Sequence, residues 1–281
     1  MSIFSPKMRK HFKELVFWIL LVIALIWAFS PILYTAINSV KLPLHIWDYP
    51  PSFVRQYSLI NYRDLAVKWP RYFTNLKNSL IITAGTAVVV LFCSIFAAYA
   101  LSRFKHSLVR LSALSIIVIR MVPPIVITIP LFPIFNSWGL IDRPITLIIL
   151  YSAFMVSLTT LMMKTFVDDV PVVLEEAAII DGCSKLQAFL KITVPLSAPG
   201  VVAVIVFTSI FAWNEYLFAF IFCGSETATA PLVLSEFMGD IMGVQWGMLL
   251  AATIIHLIPM LVLTWIVQKH LIKGMGFSAL K

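Results

Sequence analysis

Six long apolar stretches separated by shorter polar ones dominate the chain: residues 16–37, 79–101, 111–135, 144–165, 199–222 and 247–267. Each meets the ~20 apolar residues that a bilayer core requires. Lipid offers no partner to backbone N–H and C=O groups, so each stretch is predicted to be an α-helix. The pattern predicts an all-α integral membrane protein with a six-helix transmembrane domain over 16–268. A polar segment, 1–15, precedes it and a tail, 269–281, follows. The first stretch lies behind Lys7, Arg9, Lys10 and Lys13, as a signal peptide would. It is too long for a signal h-region, and it reads as an uncleaved first span.

Composition agrees with this picture. Hydrophobic residues make up 60% of the chain and charged residues 12%, about half the charge of a soluble domain. The formal charge of +8 does not mark a nucleic-acid partner, because the basic residues cluster at the ends of apolar stretches and no groove-reading motif accompanies them. Placing both termini in the cytoplasm puts thirteen Lys and Arg inside and seven outside, six of those seven in the first outer loop. That orientation satisfies the positive-inside rule and makes the loop over 166–197 cytoplasmic. Cys93, Cys183 and Cys223 share no spacing suited to a metal or a disulfide framework, and the five histidines are scattered. No metal site is expected.

Pro123, Pro124, Pro130 and Pro133 fall in the third span and Pro259 in the sixth. Each removes a backbone hydrogen bond and kinks or opens its helix. They either shape helices within a bundle or expose carbonyls along a translocation path. Arg120 and Glu215 lie within the third and fifth spans. Intramembrane charges of this kind pair with one another or a neighbouring subunit, snorkel to an interface, or touch a substrate. Trp213, Asn214, Glu215 and Tyr216 combine the aromatic and hydrogen-bonding groups of a sugar site. On a continuous helix Trp213 and Tyr216 would share one side, where packing is the other explanation. His256 reads as a bundle residue.

The loop between spans four and five is the least membrane-like part of the chain. It carries Asp168, Asp169, Glu175, Glu176 and Asp181 within one short segment. Two short helices are predicted there. Asp168 and Asp169 ahead of Pro171 suit a helix N-terminus, and Gly182 suits its end. Val173, Leu174, Ala177, Ala178 and Ile180 then form an apolar side. Ser184-Lys185-Leu186-Gln187 reads as a capping box for the second helix. Leu186, Phe189, Leu190 and Val194 give that helix an apolar face, and Pro195 is expected to end it. Glu175 and Glu176 offer charge to a basic partner, while Ala177 and Ala178 permit close approach. A docking element and an ordinary solvated hairpin both fit this pattern.

Glu176-Ala177-Ala178, three residues, Gly182, nine residues, then Ile192-x-Val194-Pro195 resembles the EAA signature of bacterial ABC-importer permeases, with Val194 in place of Leu as its only departure. Asn61-Tyr62, Asn78-Ser79, Ala97-Ala98-Tyr99-Ala100, Arg120-Met121-x-Pro123-Pro124, Gly139-Leu140-x-Asp142, Trp213-Asn214-Glu215-Tyr216 and Gln268-Lys269-His270-Leu271 extend the likeness over about residues 15 to 281. They point to the shorter permease subunit of maltose-type carbohydrate importers. The resemblance implies a type I importer (MetI-like) fold in the bacterial cytoplasmic membrane. It implies an ATPase-coupling element made of Glu175, Glu176, Ala177, Ala178, Asp181, Gly182, Ile192 and Pro195. A substrate pathway through Arg120, Trp213, Asn214, Glu215 and Tyr216 would follow, with a contact loop of Gly224, Ser225, Glu226, Thr227, Ala228, Thr229 and Ala230 for an extracytoplasmic sugar-binding protein. The implied partners are a longer permease, a dimeric ABC ATPase, the binding protein and membrane lipid.

No G-x-x-x-x-G-K-[ST] segment occurs, so this chain is expected to bind no cofactor, leaving ATP and Mg to the partner ATPase. No nucleophile elbow or H-E-x-x-H occurs either, and the chain is not expected to be an enzyme. An ABC permease for a non-sugar solute and an ion-coupled secondary transporter remain the competing readings. The second leaves the acidic loop without a purpose.

Overall fold

The computed structural model describes residues 6–50, 56–239 and 243–278, and these form two compact units. The first comprises residues 1–70 and 237–255. Its long apolar helix α1 (Pro6–Ser39) leaves Phe12, Trp18 and Trp27 exposed. Beyond it, α2 (Ile60–Lys68) is tied back by buried Asn61, whose amide donates to the carbonyls of Ser39 and Lys41, both at 2.7 Å. Gly247 belongs to the same unit. A Cβ there would fall 2.2 Å from Asn61 Oδ1, so only glycine fits.

The second unit comprises residues 71–236 and 256–281. Its frame is α3 (Arg71–Arg103), α6 (Pro144–Asp168) and α10 (Ala198–Asn214). Two apolar clusters hold these helices together. One centres on Ile82, Leu147, Tyr151, Ala212, Phe218 and Phe222. The other contains Val90, Ala98, Met155, Met163, Phe189 and Val204. Gly200 sits so close to α6 that a Cβ would lie 2.7 Å from Phe166 Cβ. The unit's other helices are α4 (Ser107–Ile119), α5 (Pro124–Ser137), α7 (Val172–Ile180), α8 (Lys185–Ala188), α9 (Val194–Leu196), α11 (Leu217–Phe222), α12 (Ala230–Glu236) and the part of α13 (Trp246–Ser278) from His256 onward, the start of α13 belonging to the first unit.

Among the described residues, four helices are long and apolar enough to cross a membrane, and up to six spans result if each bent pair counts as one. The third predicted span is such a pair: α4 and α5 meet at 97°. Pro124 is the cause. It forces Pro123 into extended backbone (φ −59°, ψ 134°), as a following proline does, and the helix restarts at Pro124. Arg120 therefore caps α4 at the break rather than lying inside a continuous helix. Pro130 and Pro133 are accommodated within α5 and Pro259 within α13.

The fifth span is interrupted as well. Helix α10 stops at Asn214, Glu215 is extended (φ −71°, ψ 131°), and α11 begins at Leu217. The expectation of one helix carrying Trp213 and Tyr216 on a shared side is thereby corrected.

Two further expectations change in the loop. Asp168 and Asp169 close α6 instead of opening α7, and Lys164 Nζ donates to Asp168 at 2.5 Å. Pro195 does not end the second loop helix. Residues Phe189–Thr193 form a π-helical turn, and the backbone stays helical through Pro195 in the short α9. The chain bends by 73° only at Ser197.

Candidate functional site

Helix α7 ends in a Schellman motif. Gly182 has φ +91°, its N–H donates to Ile179 O at 3.0 Å, and Cys183 N donates to Ala178 O at 2.9 Å. Both bonds satisfy carbonyls that a helix end leaves bare. Asp181 is the helix's C-cap. Helix α8 then starts with the predicted capping box. Gln187 N donates to Ser184 Oγ at 3.3 Å, and Ser184 N donates to Gln187 Oε1 at 2.9 Å. The loop is thus two stiff, capped segments.

The two glutamates of this loop meet different surroundings. Glu176, Ala177, Asp181 and Gly182 are exposed, as are Val173, Ile180, Leu186 and Leu190. Glu175 is 5% exposed. Its Oε1 accepts Arg103 Nε at 2.9 Å, an Arg103 terminal nitrogen at 2.7 Å and Thr193 Oγ1 at 2.7 Å. Oε2 accepts the Tyr99 hydroxyl at 2.9 Å. The expectation that Glu175 offers its charge to a partner is corrected, because that charge is already consumed within the chain. Burial alone would raise its pKa; the hydrogen bonds from Arg103, Thr193 and Tyr99, with the Arg103 charge, hold it below the usual carboxylate value. Ile192 is half-buried within the π turn and Pro195 is exposed.

At the break after α10, Trp213 is turned inward. Its indole N–H donates to His256 O at 3.2 Å, and its ring stacks on His256 at 4.9 Å. Glu215 Oε1 accepts Phe218 N at 2.9 Å and Oε2 accepts Ala219 N at 3.3 Å. It caps α11, and no ion pair joins it to Arg120 among the described residues. Asn214 and Tyr216 remain exposed. Tyr216 stacks on Phe220 with ring centres 5.6 Å apart. Arg120, also exposed, lies over the ring of Phe154 at 5.3 Å, a cation–π contact.

The segment from Gly224 to Ala230 is held rather than free. Asp142 Oδ1 accepts Gly224 N at 2.9 Å and both Thr227 N (2.9 Å) and Thr227 Oγ1 (2.6 Å), while Oδ2 accepts Glu226 N at 3.3 Å. Asn78 donates to the carbonyls of Glu226 and Ala228, and Ser79 Oγ accepts Ala230 N. Thr227, Ala228, Thr229 and Ala230 are buried. Only Gly224, Ser225 and Glu226 are exposed, which corrects the expectation that the whole segment reaches outward.

A model of the family described as the binding-protein-dependent transport system inner membrane component matches residues 90–276. The chain belongs to this family. Among its relatives, a putative ABC transporter permease protein from Caldicellulosiruptor sp. (strain Rt8B.4) is 34% identical over the full length of both chains, 100% of each. The trehalose transport system permease protein SugB of Mycobacterium tuberculosis (strain CDC 1551 / Oshkosh) is also 34% identical, covering 79% of this chain and 81% of that one. The fold matches a chain in the crystal structure of a bacterial ABC transporter involved in import of the acidic polysaccharide alginate. The TM-score is 0.79 at 20% identity, with 96% of this chain and 99% of that chain covered.

In this inner membrane component the family model takes in the whole loop, both helix breaks and the Asp142 anchor. Sequence reasoning missed Arg103, Tyr99 and Thr193 as parts of the loop's support. Arg103 counted only as a flanking positive charge, and Thr193 lay within a spacing. The available signal was Glu175 itself: with apolar Val172, Ala178 and Ile179 one turn away on the same face, its carboxylate requires a partner when buried.

Proposed function

We propose that this chain is the permease subunit of an ATP-driven carbohydrate importer, working by alternating access with an ATPase docked on the loop at 166–197. The observation that carries this reading is the loop's outer surface. Glu176 presents an unconsumed carboxylate beside small Ala177, with exposed Val173 and Ile180 one turn to either side on α7, and Leu186 and Leu190 of the same loop are exposed too. Exposed apolar side chains and a charge on one stiff loop suit a protein partner better than water. The trehalose permease relative supports a sugar as cargo.

In this proposal the loop and both termini face the cytoplasm, ATP and Mg are held by a dimeric partner ATPase, and a second, longer permease completes the membrane part. Six spans follow when α4 and α5 count as one and α10, the part of the second bent pair that lies beyond the loop, counts as another. The two breaks line the path: Asn214 and Tyr216 supply an amide and an aromatic face to a sugar, and Arg120 adds a cation. Trp213 and Glu215 act indirectly, as packing and cap. Gly224, Ser225 and Glu226 meet the extracytoplasmic binding protein. Rigid-body movement of the docked ATPase rocks the helices that the loop connects.

The test is uptake of radiolabelled trehalose, maltose and an alginate oligosaccharide by cells carrying Glu176→Lys or Gly182→Pro. Loss of uptake with normal membrane insertion is expected. Gly182→Pro cannot adopt φ +91° and removes the bond to Ile179. Uptake that survives both substitutions would sink the coupling role.

A further inference from the structure

The loop is linked covalently to α6 and α10, yet its charged centre is fastened to a third helix. Arg103 ends α3, and its side chain is 11% exposed against 6% for Glu175. Besides Glu175, the guanidinium donates to Val170 O at 2.8 Å and to Ser102 Oγ at 3.0 Å. Ser102 Oγ in turn donates to Asp168, the last residue of α6, at 2.6 Å. One turn earlier on α3, Tyr99 bonds Glu175 and packs its ring on Phe189 at 4.6 Å. Thr193, at the end of the π turn, closes the set on the same carboxylate. A single carboxylate thus joins α3, α7 and the π turn.

Such a constellation is costly unless complete. Two buried charges outside water are stabilised only when geometry is good and their remaining donors and acceptors are met. Here each Glu175 oxygen is bonded, and the guanidinium meets carboxylate, carbonyl and hydroxyl together. An apolar contact would hold the helices as well but would let them slide. Directional charge-assisted bonds fix register.

We propose that Arg103, Glu175, Tyr99 and Thr193 form the joint that fixes the coupling loop to α3, so that displacement of the loop drives α3, α6 and α10 as one body. The inference rests on the importer reading above. These are positioning residues, which act through the loop and touch neither sugar nor nucleotide.

The test uses the whole transporter, purified through a tag on this chain and reconstituted in liposomes with its binding protein. Transport of a sugar from the panel above and ATP hydrolysis are measured together. Tyr99→Phe and Thr193→Val each delete one hydroxyl with little change of shape. Arg103→Lys keeps the charge but cannot reach Glu175 and Val170 in the same geometry. Sugar carried per ATP hydrolysed is expected to fall about fivefold for each hydrogen bond removed, with ATP hydrolysis continuing. A role in stability alone would lower melting temperature or yield while leaving that ratio at the wild-type value in the assembled complexes. Unchanged ratios in all three variants would overturn the joint. Failure of the importer reading gives a different result: the wild-type complex itself shows no ATP-dependent uptake.

Discussion

Asp142 holds Thr227 twice, accepting its backbone N–H at 2.9 Å and its hydroxyl at 2.6 Å on the same carboxylate oxygen. Asp142 itself has φ +58°, a left-handed conformation that Asp tolerates better than most residues. Residues 85 positions apart in sequence are thereby locked at the base of an exposed turn.

Asp142→Asn weakens this anchor by about 2 kcal/mol, the scale of hydrogen bonds to a charged acceptor. Faster amide hydrogen exchange at Gly224, Glu226 and Thr227 is the expected readout, with exchange in α6 unchanged. The pH dependence has a definite sign. Burial pulls the Asp142 pKa up, but the bonds from Thr227, Gly224 and Glu226 outweigh it and hold it below the usual carboxylate value. The stabilisation is full above the ordinary Asp pKa and is lost as pH falls through the depressed one. Protection in the wild type should therefore decline only in acid, toward the level of the variant.

Glu175 obeys the same sign rule. Its pKa is lowered by Arg103, Thr193 and Tyr99 against the upward pull of burial. Its contribution persists above the ordinary Glu pKa and disappears as pH drops through the lowered one. Glu175→Ala leaves Arg103 buried and uncompensated and should cost about 3–5 kcal/mol. Thermal melting of the purified protein in detergent, compared at neutral and acid pH, checks both statements. The gap between wild type and variant should be wide at neutral pH and narrow in acid.

Gly200→Val should destabilise the second unit by overpacking. Even its first added carbon would lie 2.7 Å from Phe166 Cβ and Cγ, part of the α6 framework. Overpacking of this kind costs about 1–3 kcal/mol or more. A lower melting temperature for Gly200→Val, partly recovered by Phe166→Ala in the same chain, is the expected result.

Trp213→Ala and Tyr216→Ala should separate stability from transport. Trp213 is 1% exposed and stacks on His256, so its removal should cost about 3–5 kcal/mol. Tyr216 lies beyond the break and is 39% exposed. Its removal should leave the melting temperature nearly unchanged and raise the KM for sugar. Equal effects of both changes on melting would contradict the assignment.

Much of the loop was legible in the sequence because its signals are local. A capping box needs residues three apart, and a Schellman stop needs one glycine at the right place. Gly182, Ser184 and Gln187 therefore declared themselves. The break after α4 was half legible: prolines announced a disturbance at Pro123 and Pro124 but not its 97° size. The break at Glu215 carried no proline or glycine, and it depends on a carboxylate turning back to cap α11. Pro195 misled, because a π turn just before it moves the bend to Ser197.

That the six apolar stretches are largely helical follows from the sequence alone, because lipid leaves an apolar segment no other way to satisfy its backbone. The caps of the loop follow too, since their partners lie within one turn. Only the tertiary structure decided which glutamate faces outward. Glu175 and Glu176 are adjacent and alike in chemistry. Their separation depends on Arg103, 72 residues away, and on Tyr99 and Thr193, brought to the same carboxylate by the packing of α3 against α6. No local pattern encodes that convergence, because a buried charge is settled by whatever the fold places around it.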